Sequence, residues 1–584
     1  CQMLTGQGGW PLTILMTPEK KPFFAATYIP KETMHNRMGM LDLIPQIEQA
    51  WKNRRDQIEE STGKILDSFS KTLELTKSGS KTDDNITEKA FLELKNRYDQ
   101  EYGGFGTAPK FPSPHTLIFL MHFSKTMRNE DALEMSQHTL KQMRYGGIYD
   151  HIGCGFHRYS TDRHWLLPHF EKMLYDQAML IQAYTLGWQH SKNALFKNTV
   201  YEITGYLKKH LLSEEGGFYS AEDADSDGEE GKFYVWSVDE IRNILSSDEA
   251  EHFLKLYNFQ KEGNFRDEAT GQNTGNNIPY LSDAPASNDI KISNILKKLE
   301  KTREQRIRPL LDDKILTDWN GLIIASLSRA GSAFQDQQLI TLAEKAWAFL
   351  QARLMTENGN LLHRYKNGDA GIEGMADDYA FCIWGLIELY LATFKINYLE
   401  LAITLHGVFE ENFRDKDYGG YFFTHKNSDE LLGRQKEIYD GALPSSNSVQ
   451  IMNSLRLSRL TGDTSLERKA LLDFQAFANQ INHSPSGFTH ALQALFIAEG
   501  HSFEIVLTQE KQDENLKQFL NVISEKPLVE PSIHIKTDKN RKQLSKMAPY
   551  TADHKIETTP AVYLCKNFTC NFPVKDLTRL REKL

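Results

Sequence analysis

A long polar loop recurs six times along this chain, each time ahead of an apolar helix, and that alternation constrains the fold more than any other feature. Tyr102-Gly103-Gly104-Phe105 leads to a helix near His115, and Tyr145-Gly146-Gly147-Ile148 runs through His157, Arg158, Trp165 and His169 to a helix near Phe170. Asp318-Trp319-Asn320-Gly321 and Asp377-Asp378-Tyr379 open two more. Tyr418-Gly419-Gly420-Tyr421 runs on to Asp440-Gly441 and a fifth, and Gly487-Phe488-Thr489-His490 opens the last. The alternate connections are short, at 124–129, 190–193, 333–336, 394–397 and 461–463. Twelve helices are expected, starting near 87, 115, 129, 170, 194, 316, 336, 376, 397, 442, 464 and 489. Many are apolar most of the way round, as the inner helices of a closed ring must be. The rhythm predicts an all-helical toroid whose long loops share one face, and that face carries function.

The remaining segments flank this ring. A chain of 584 residues exceeds a single core, so two or three domains are expected. Pro11 to Met16 and Phe23 to Tyr28 read as strands around a Thr17-Pro18 turn, followed by helix over 41–73. Residues 1–76 then form an α/β segment, 77–86 a Ser/Lys/Asp-rich linker, and 87–500 the toroid, with 237–315 as an insertion opened by the Ser237 cap. Residues 501–584 alternate apolar strands with helix and read as a small α/β appendage. The fold class is therefore mainly α. A net charge of −10 without a basic tract argues against nucleic acid as a partner, and no run of 18 apolar residues spans a membrane. Five cysteines are too few for a disulfide framework and fit a reducing, cytoplasmic setting. The chain begins at Cys1 rather than Met, so it reads as a piece whose N-terminus lies upstream.

Several motifs together resemble the spermatogenesis-associated thioredoxin-like family. They are Gly8-Gly9-Trp10-Pro11, Tyr28-Ile29-Pro30, Pro109-Lys110-Phe111-Pro112, His169-Phe170-Glu171-Lys172, Glu222-Asp223-Ala224-Asp225-Ser226, Asp318-Trp319-Asn320-Gly321 and Cys565-x4-Cys570. The resemblance covers nearly the whole chain. It implies a thioredoxin-like domain followed by an (α/α)6 toroid of the six-hairpin glycosidase type, similar to N-acylglucosamine 2-epimerases. It also implies a cis Trp10–Pro11 peptide and a Cys-x-x-Cys-like stretch upstream of residue 1, so architecture is implied more firmly than activity.

Three constellations are candidates for chemistry. The first is the loop with His151, His157, Arg158, Asp162, His164, Trp165, His169 and Glu171. Imidazoles suit proton transfer near neutral pH and Arg158 suits an anionic oxygen, although the same side chains also serve to pin a long loop. The second, Glu222 to Gly228, starts like a calcium loop but has Tyr234 where the bidentate Glu belongs; it remains a carboxylate site, a cation site or a solvated acidic turn. The third is spread over helix starts: Asp318, Trp319, Asn320, Asp377, Asp378, Tyr379 and Asp440. Any one of these acids is explained as a helix cap, but an acid beside an aromatic at adjacent mouths also fits a sugar site with paired carboxyls. His157, Arg158, His169, Asp223 and Asp378 are the catalytic candidates. Trp165, Glu222, Asp225, Asp318, Trp319, Asn320, Asp377, Tyr379 and Asp440 are the substrate-binding ones. Cys565 and Cys570 read as two buried cysteines in a strand region rather than as half a metal site, and Cys154, beside His151 and His157, separately offers a minor nucleophilic Cys–His reading. No cofactor and no metal set is expected. The small-molecule ligand implied is a sugar, handled by epimerase-like or glycosidase-like chemistry. A thiol redox or chaperone-type role through the full-length thioredoxin-like domain, and sugar binding by the toroid without turnover, are the alternatives.

Overall fold

The computed structural model describes residues 8–9, 11–34, 37–75, 81–267, 270–283, 290–428 and 433–584. The peptide expected to be cis, Trp10–Pro11, involves Trp10 and lies outside the described residues. Strands β1 (Thr13–Met16) and β2 (Pro22–Ala26) pair antiparallel with Thr13 opposite Ala26, as the two apolar runs around a Pro turn require. Helices α1 (Met40–Asn53) and α2 (Arg55–Leu75) follow, broken at Arg54, and Phe23 packs against Trp51.

The ring comprises six inner helices and six outer ones. The inner helices are α4 (Pro114–Met127), α6 (Leu174–Ser191), α11 (Thr317–Phe334), α13 (Ala376–Thr393), α15 (Ser446–Thr461) and α18 (Thr489–Ala498). Each contacts the next in that order, and α18 returns to α4, so the ring is closed. The outer helices α3 (Ile86–Arg97), α5 (Glu130–Tyr145), α7 (Ala194–Tyr206), α12 (Gln337–Arg353), α14 (Ile396–Phe413) and α16 (Thr464–Gln475) each lie on an inner neighbour. The fold is thus an (α/α)6 toroid. The inner helices are buried along most of their length, α13 from Ala376 to Tyr390 with Asp377 as the half-exposed exception. The tightest inner contact, α11 on α13, depends on glycine. A Cβ on Gly321 would meet the Phe381 carbonyl carbon at 2.6 Å, and one on Gly385 would meet the Gly321 oxygen at 2.9 Å.

Four of the five short turns share one local code. Arg128, Lys192, Gln335 and Gly462 take a left-handed conformation that ends the inner helix. The next residue, Asn129, Asn193, Asp336 or Asp463, accepts a backbone N–H at the start of the outer helix. A left-handed stop followed at once by an N-cap reverses the chain in two residues. All inner helices therefore run in one direction, and every long loop lies at their N-terminal end.

The C-terminal region closes the opposite end. Strands β3 (Leu362–Lys366) and β4 (Asp369–Glu373) belong to the toroid, whereas β5 (Glu504–Thr508), β6 (Ser532–Lys536), β7 (Ala561–Lys566) and β8 (Thr569–Cys570) form a sheet in the order β6-β5-β7-β8. The β5–β6 pair is parallel and the other two are antiparallel. With α19 (Glu514–Ser524) between β5 and β6, α20 (Arg541–Met547) before β7 and α21 (Leu577–Lys583) last, this is the strand order and polarity of a thioredoxin fold. It seals the ring: the His534 ring lies 2.5 Å from Tyr390 Oη and 2.8 Å from the Leu460 carbonyl oxygen. Within 237–315, helices α8 (Val238–Ile244), α9 (Ser247–Leu256) and α10 (Ile290–Arg303) pack around Trp236, Phe253 and Leu299. Rather than two buried cysteines, Cys565 and Cys570 form a disulfide, being directly opposed on β7 and β8, and only Cys565 is buried.

Candidate functional site

The N-termini of α6, α11, α13 and α15 converge on a cavity of about 540 Å³ at the long-loop mouth. Its wall includes Arg158, Tyr175, Trp319, Asp377, Glu437 and Tyr439, with Ser446 at its edge. Each of these four helices contributes its first turn, because that is where a long loop delivers the chain into the ring. Tyr175 and Trp319 meet edge to face, with ring centroids 4.9 Å apart. They give the wall an aromatic surface of the kind that stacks on apolar faces of ligands.

The same wall carries displaced carboxyls. Burial raises the Asp377 carboxyl to about 7, against the pull of hydrogen bonds from Ser446; Asp378 and Glu437 add to the rise. Glu437 is also raised by burial. Asp318 is held well above the usual carboxylate range by burial and by the neighbouring Asp378. Asp378 is fixed as an acceptor. It takes the N–H of Asp318 at 3.0 Å and that of Met375 at 2.7 Å, and the His363 ring nitrogen lies 3.0 Å from it. That contact raises His363 to about 9. His363 comes from β3 (Leu362–Lys366), which pairs with β4 (Asp369–Glu373) in the loop before α13. Asp318, His363 and Asp378 each bring a ligand-capable atom within 4.8 Å of the others, a set able to hold a cation, although the His363 Nδ1 is already engaged with Asp378.

The other sequence candidates divide into those near this cavity and those away from it. Arg158 lines it and is paired with Glu171 at 2.9 Å. His169 sits between Glu230 at 2.7 Å and Glu171 at 3.3 Å; hydrogen bonds it donates to Glu171 and then to Glu230 raise it to about 9, so it is charged at neutral pH. His157 is buried with Nδ1 2.9 Å from the Phe170 oxygen and its ring against Tyr234; burial pushes it down to about 3. Trp165 is fully buried and donates to the Tyr102 carbonyl. Asn320 brackets the Phe218 main chain, and Tyr379 Oη accepts the Leu361 N–H. Asp440 accepts the N–H groups of Ser445 and His490, tying the starts of α15 and α18 together, and burial raises it to about 7. Glu222 is buried against Arg308 at 2.6 Å and Tyr206 at 2.7 Å, whereas Asp223 and Asp225 stand exposed in the acidic turn.

Sequence reasoning did not single out Tyr175, Asp176, His363, Glu437 or Tyr439 as site residues. A signal existed for the first two. Tyr175-Asp176 occupies the same first-turn position on α6 as Asp318-Trp319 does on α11 and Asp377-Asp378 on α13. Asp176 is buried with one carboxyl oxygen lacking a hydrogen-bond partner, and burial raises it well above the carboxylate range. His363, Glu437 and Tyr439 reach the site from loops, where no periodicity marks them.

A closed (α/α)6 toroid with a carboxyl-rich aromatic mouth, flanked by α/β segments at both ends, is the class of protein that these observations define. Residues 1–70 match the family model Thioredox_DsbH, described as a protein of unknown function, DUF255. The chain is 31% identical to spermatogenesis-associated protein 20 from Rattus norvegicus and from Homo sapiens, over 100% of this chain and 80% of each relative. It belongs to the spermatogenesis-associated protein 20 family. Among solved structures, a cellobiose 2-epimerase from Bacillus thermoamylovorans B4167 aligns over 68% of this chain and 87% of its own, with 11% identity and a TM-score of 0.43.

Proposed function

We propose that the mouth cavity binds a hydroxylated, sugar-sized molecule and that Asp377 transfers a proton to or from it, with Glu437 as the second carboxyl. The observation that carries this reading is Asp377 itself. It is a cavity-lining carboxyl held near 7, where a group both donates and accepts protons effectively at neutral pH. Glu437, a second carboxyl in the same wall, completes the pair of carboxyls that glycosidic cleavage uses as general acid and partner. Arg158 supplies charge for an oxygen that becomes negative, and Trp319 and Tyr175 supply a stacking face. Neither His157 nor His169 suits the proton-transfer role as well. The first is sealed behind Phe170 and Tyr234, and the second is charged between two glutamates.

The test is turnover on aryl glycosides, aldoses and 2-acetamido sugars, with solvent-deuterium incorporation as the readout for epimerisation. Asp377→Asn should lower kcat by on the order of 100-fold or more with the fold intact. Saturable sugar binding without turnover supports a receptor instead. Turnover that survives Asp377→Asn but is lost in His169→Ala returns the role to the histidine loop.

A further inference from the structure

The C-terminal sheet carries a second site, distinct from the toroid mouth. Cys565 and Cys570 face each other across the β7–β8 hairpin and are bonded, yet strand pairing and the tight turn at Asn567-Phe568 already close that loop. A cross-link over so few residues removes little freedom from the unfolded chain, so the fold draws least from it. The two sulfurs are unequal: Cys565 is fully buried, whereas Cys570 is exposed. His554 Nε2 lies 3.5 Å from Cys570 Sγ, and burial lowers the His554 pKa, so its ring is neutral and able to accept a proton. Beside the sulfur opens a cleft of about 530 Å³ walled by Tyr550, Tyr563, Phe568 and Phe572. Phe572 is 95% exposed, the most exposed large apolar side chain among the described residues.

We propose that Cys570, Cys565 and His554 form a thiol–disulfide exchange site whose substrate is a cysteine-bearing peptide segment with an aromatic or apolar residue near its sulfur. Once a small thiol or dithiol has reduced the Cys565–Cys570 bond, being itself oxidised to a disulfide, His554 takes the Cys570 proton and the thiolate attacks one sulfur of the substrate disulfide. The substrate S–S bond breaks, its second sulfur leaves as a thiolate, and a mixed disulfide forms on Cys570. Cys565, deprotonated in its turn, then attacks Cys570 Sγ, re-forms the intramolecular bond and releases the first substrate sulfur. Two electrons pass from the Cys565/Cys570 dithiol to the substrate disulfide, and the two thiol protons end on the substrate thiols. An exposed nucleophile, a buried resolving sulfur, an adjacent base and an aromatic docking wall are the parts this exchange needs. The pair sits on a hairpin, whereas Gln509-Glu510-Lys511-Gln512, ahead of the first helix of this sheet, contain no cysteine.

The experiment uses the full chain, reduced with dithiothreitol and freed of it. Two probes are mixed with it: eosin-labelled glutathione disulfide, and a quenched Phe-containing peptide closed by its own disulfide. The expected result is a burst of one equivalent that is absent in Cys570→Ser, together with a mixed disulfide trapped in Cys565→Ser and mapped to Cys570 by mass spectrometry. His554→Ala should slow the burst by about tenfold or more. Phe572→Ala should weaken reaction with the peptide and leave that with glutathione disulfide unchanged. Alkylation of the reduced wild type by iodoacetamide should label Cys570 before Cys565, which tests the assignment without a variant. A burst that persists in Cys570→Ser overturns the proposal. So does a reduced chain that holds one equivalent of zinc on His554, Cys565 and Cys570 and fails to reoxidise.

Discussion

Replacing Glu530 with Ala should strike the junction on which the ring and the C-terminal sheet depend. Glu530 precedes β6 and enters the closed end of the toroid, where it meets Arg329 at 2.7 Å, Arg456 at 3.4 Å and His122 at 3.5 Å. Arg456 is also paired with Glu388 at 2.8 Å, and Arg329 lies 3.9 Å from the same carboxyl. The cluster is thus one buried guanidinium, Arg456, and one mostly buried, Arg329, against two buried carboxylates, and removing one carboxylate strands a positive charge. Breaking a buried pair in this way costs about 3–5 kcal/mol. Burial alone pushes the Glu530 carboxyl up, but the charges of Arg329 and Arg456 hold it well below the usual range. Its stabilisation is therefore complete above the unfolded-state pKa of about 4.3, fades as pH falls below that value, and is gone below the folded-state pKa. Helices from Ile86 to Ala498 form a ring of roughly 400 residues. At about 2.1 cal/mol/K per residue, the cost shifts Tm by roughly 4–6 °C if that ring unfolds as one unit. Calorimetry and urea unfolding at pH 7 measure the loss, and the same comparison at pH 3.5 should show a smaller one. Adding Arg329→Met restores charge balance, so the double variant should be less destabilised than the sum of the singles. A loss under about 1 kcal/mol, or strict additivity, refutes the reasoning.

At the mouth, an Asp377 that acts as general acid predicts activity that declines as pH rises through about 7, and a pH–kcat profile checks it. Trp319→Ala should raise KM several-fold and leave kcat within about threefold if the ring only stacks on the ligand, since stacking is worth roughly 0.5–1.5 kcal/mol. Gly104→Ala should lower Tm, because Gly104 has φ +77° and an added Cβ would sit 2.6 Å from Trp165 Cζ2. The expected cost is about 1–3 kcal/mol, read by thermal unfolding.

The helix-start positions were legible because two physical signals coincide there. The inner helices lack a polar face, and their N-termini gather Asp, Asn and aromatic residues at the ends of long loops. Two starts fell four residues early, near 170 and 442 against the observed Leu174 and Ser446. The chain there first forms a short strand at Lys172–Met173 or the irregular Leu443-Pro444 approach, and apolar side chains in such approaches mimic helix periodicity. The site was less legible than the fold. In sequence, an Asp in the loop leading to a helix reads the same whether it holds backbone N–H groups, as Asp440 does, or faces a cavity, as Asp377 does. Only the depth of burial separates the two, and that is a property of the closed ring rather than of any window of sequence. The disulfide escaped for a similar reason, since Cys565-x4-Cys570 states a spacing but not that the two residues oppose each other across a hairpin.

Carboxyls at this mouth, and the neutrality of most of the buried imidazoles, follow from one cause. Closing six inner helices places their first turns in a region with little water, and every ionisable group there is driven toward its uncharged form. For histidine that direction removes a charge and leaves a ring that serves in packing, as at His157, His115 and His490, pushed down to about 3, 4 and 3. For aspartate the same force moves the pKa upward from the acid range toward neutrality, which is where a proton-transfer group is useful. The helix N-termini favour negative charge and so limit the rise. Ser446, at the first position of α15, does so directly through its hydrogen bonds to Asp377. A fold that buries helix starts around a cavity thus tunes carboxyls into the working range and tunes imidazoles out of it. His169 and His363 escape only because glutamates or Asp378 pair with them, and that pairing keeps them charged rather than available as bases.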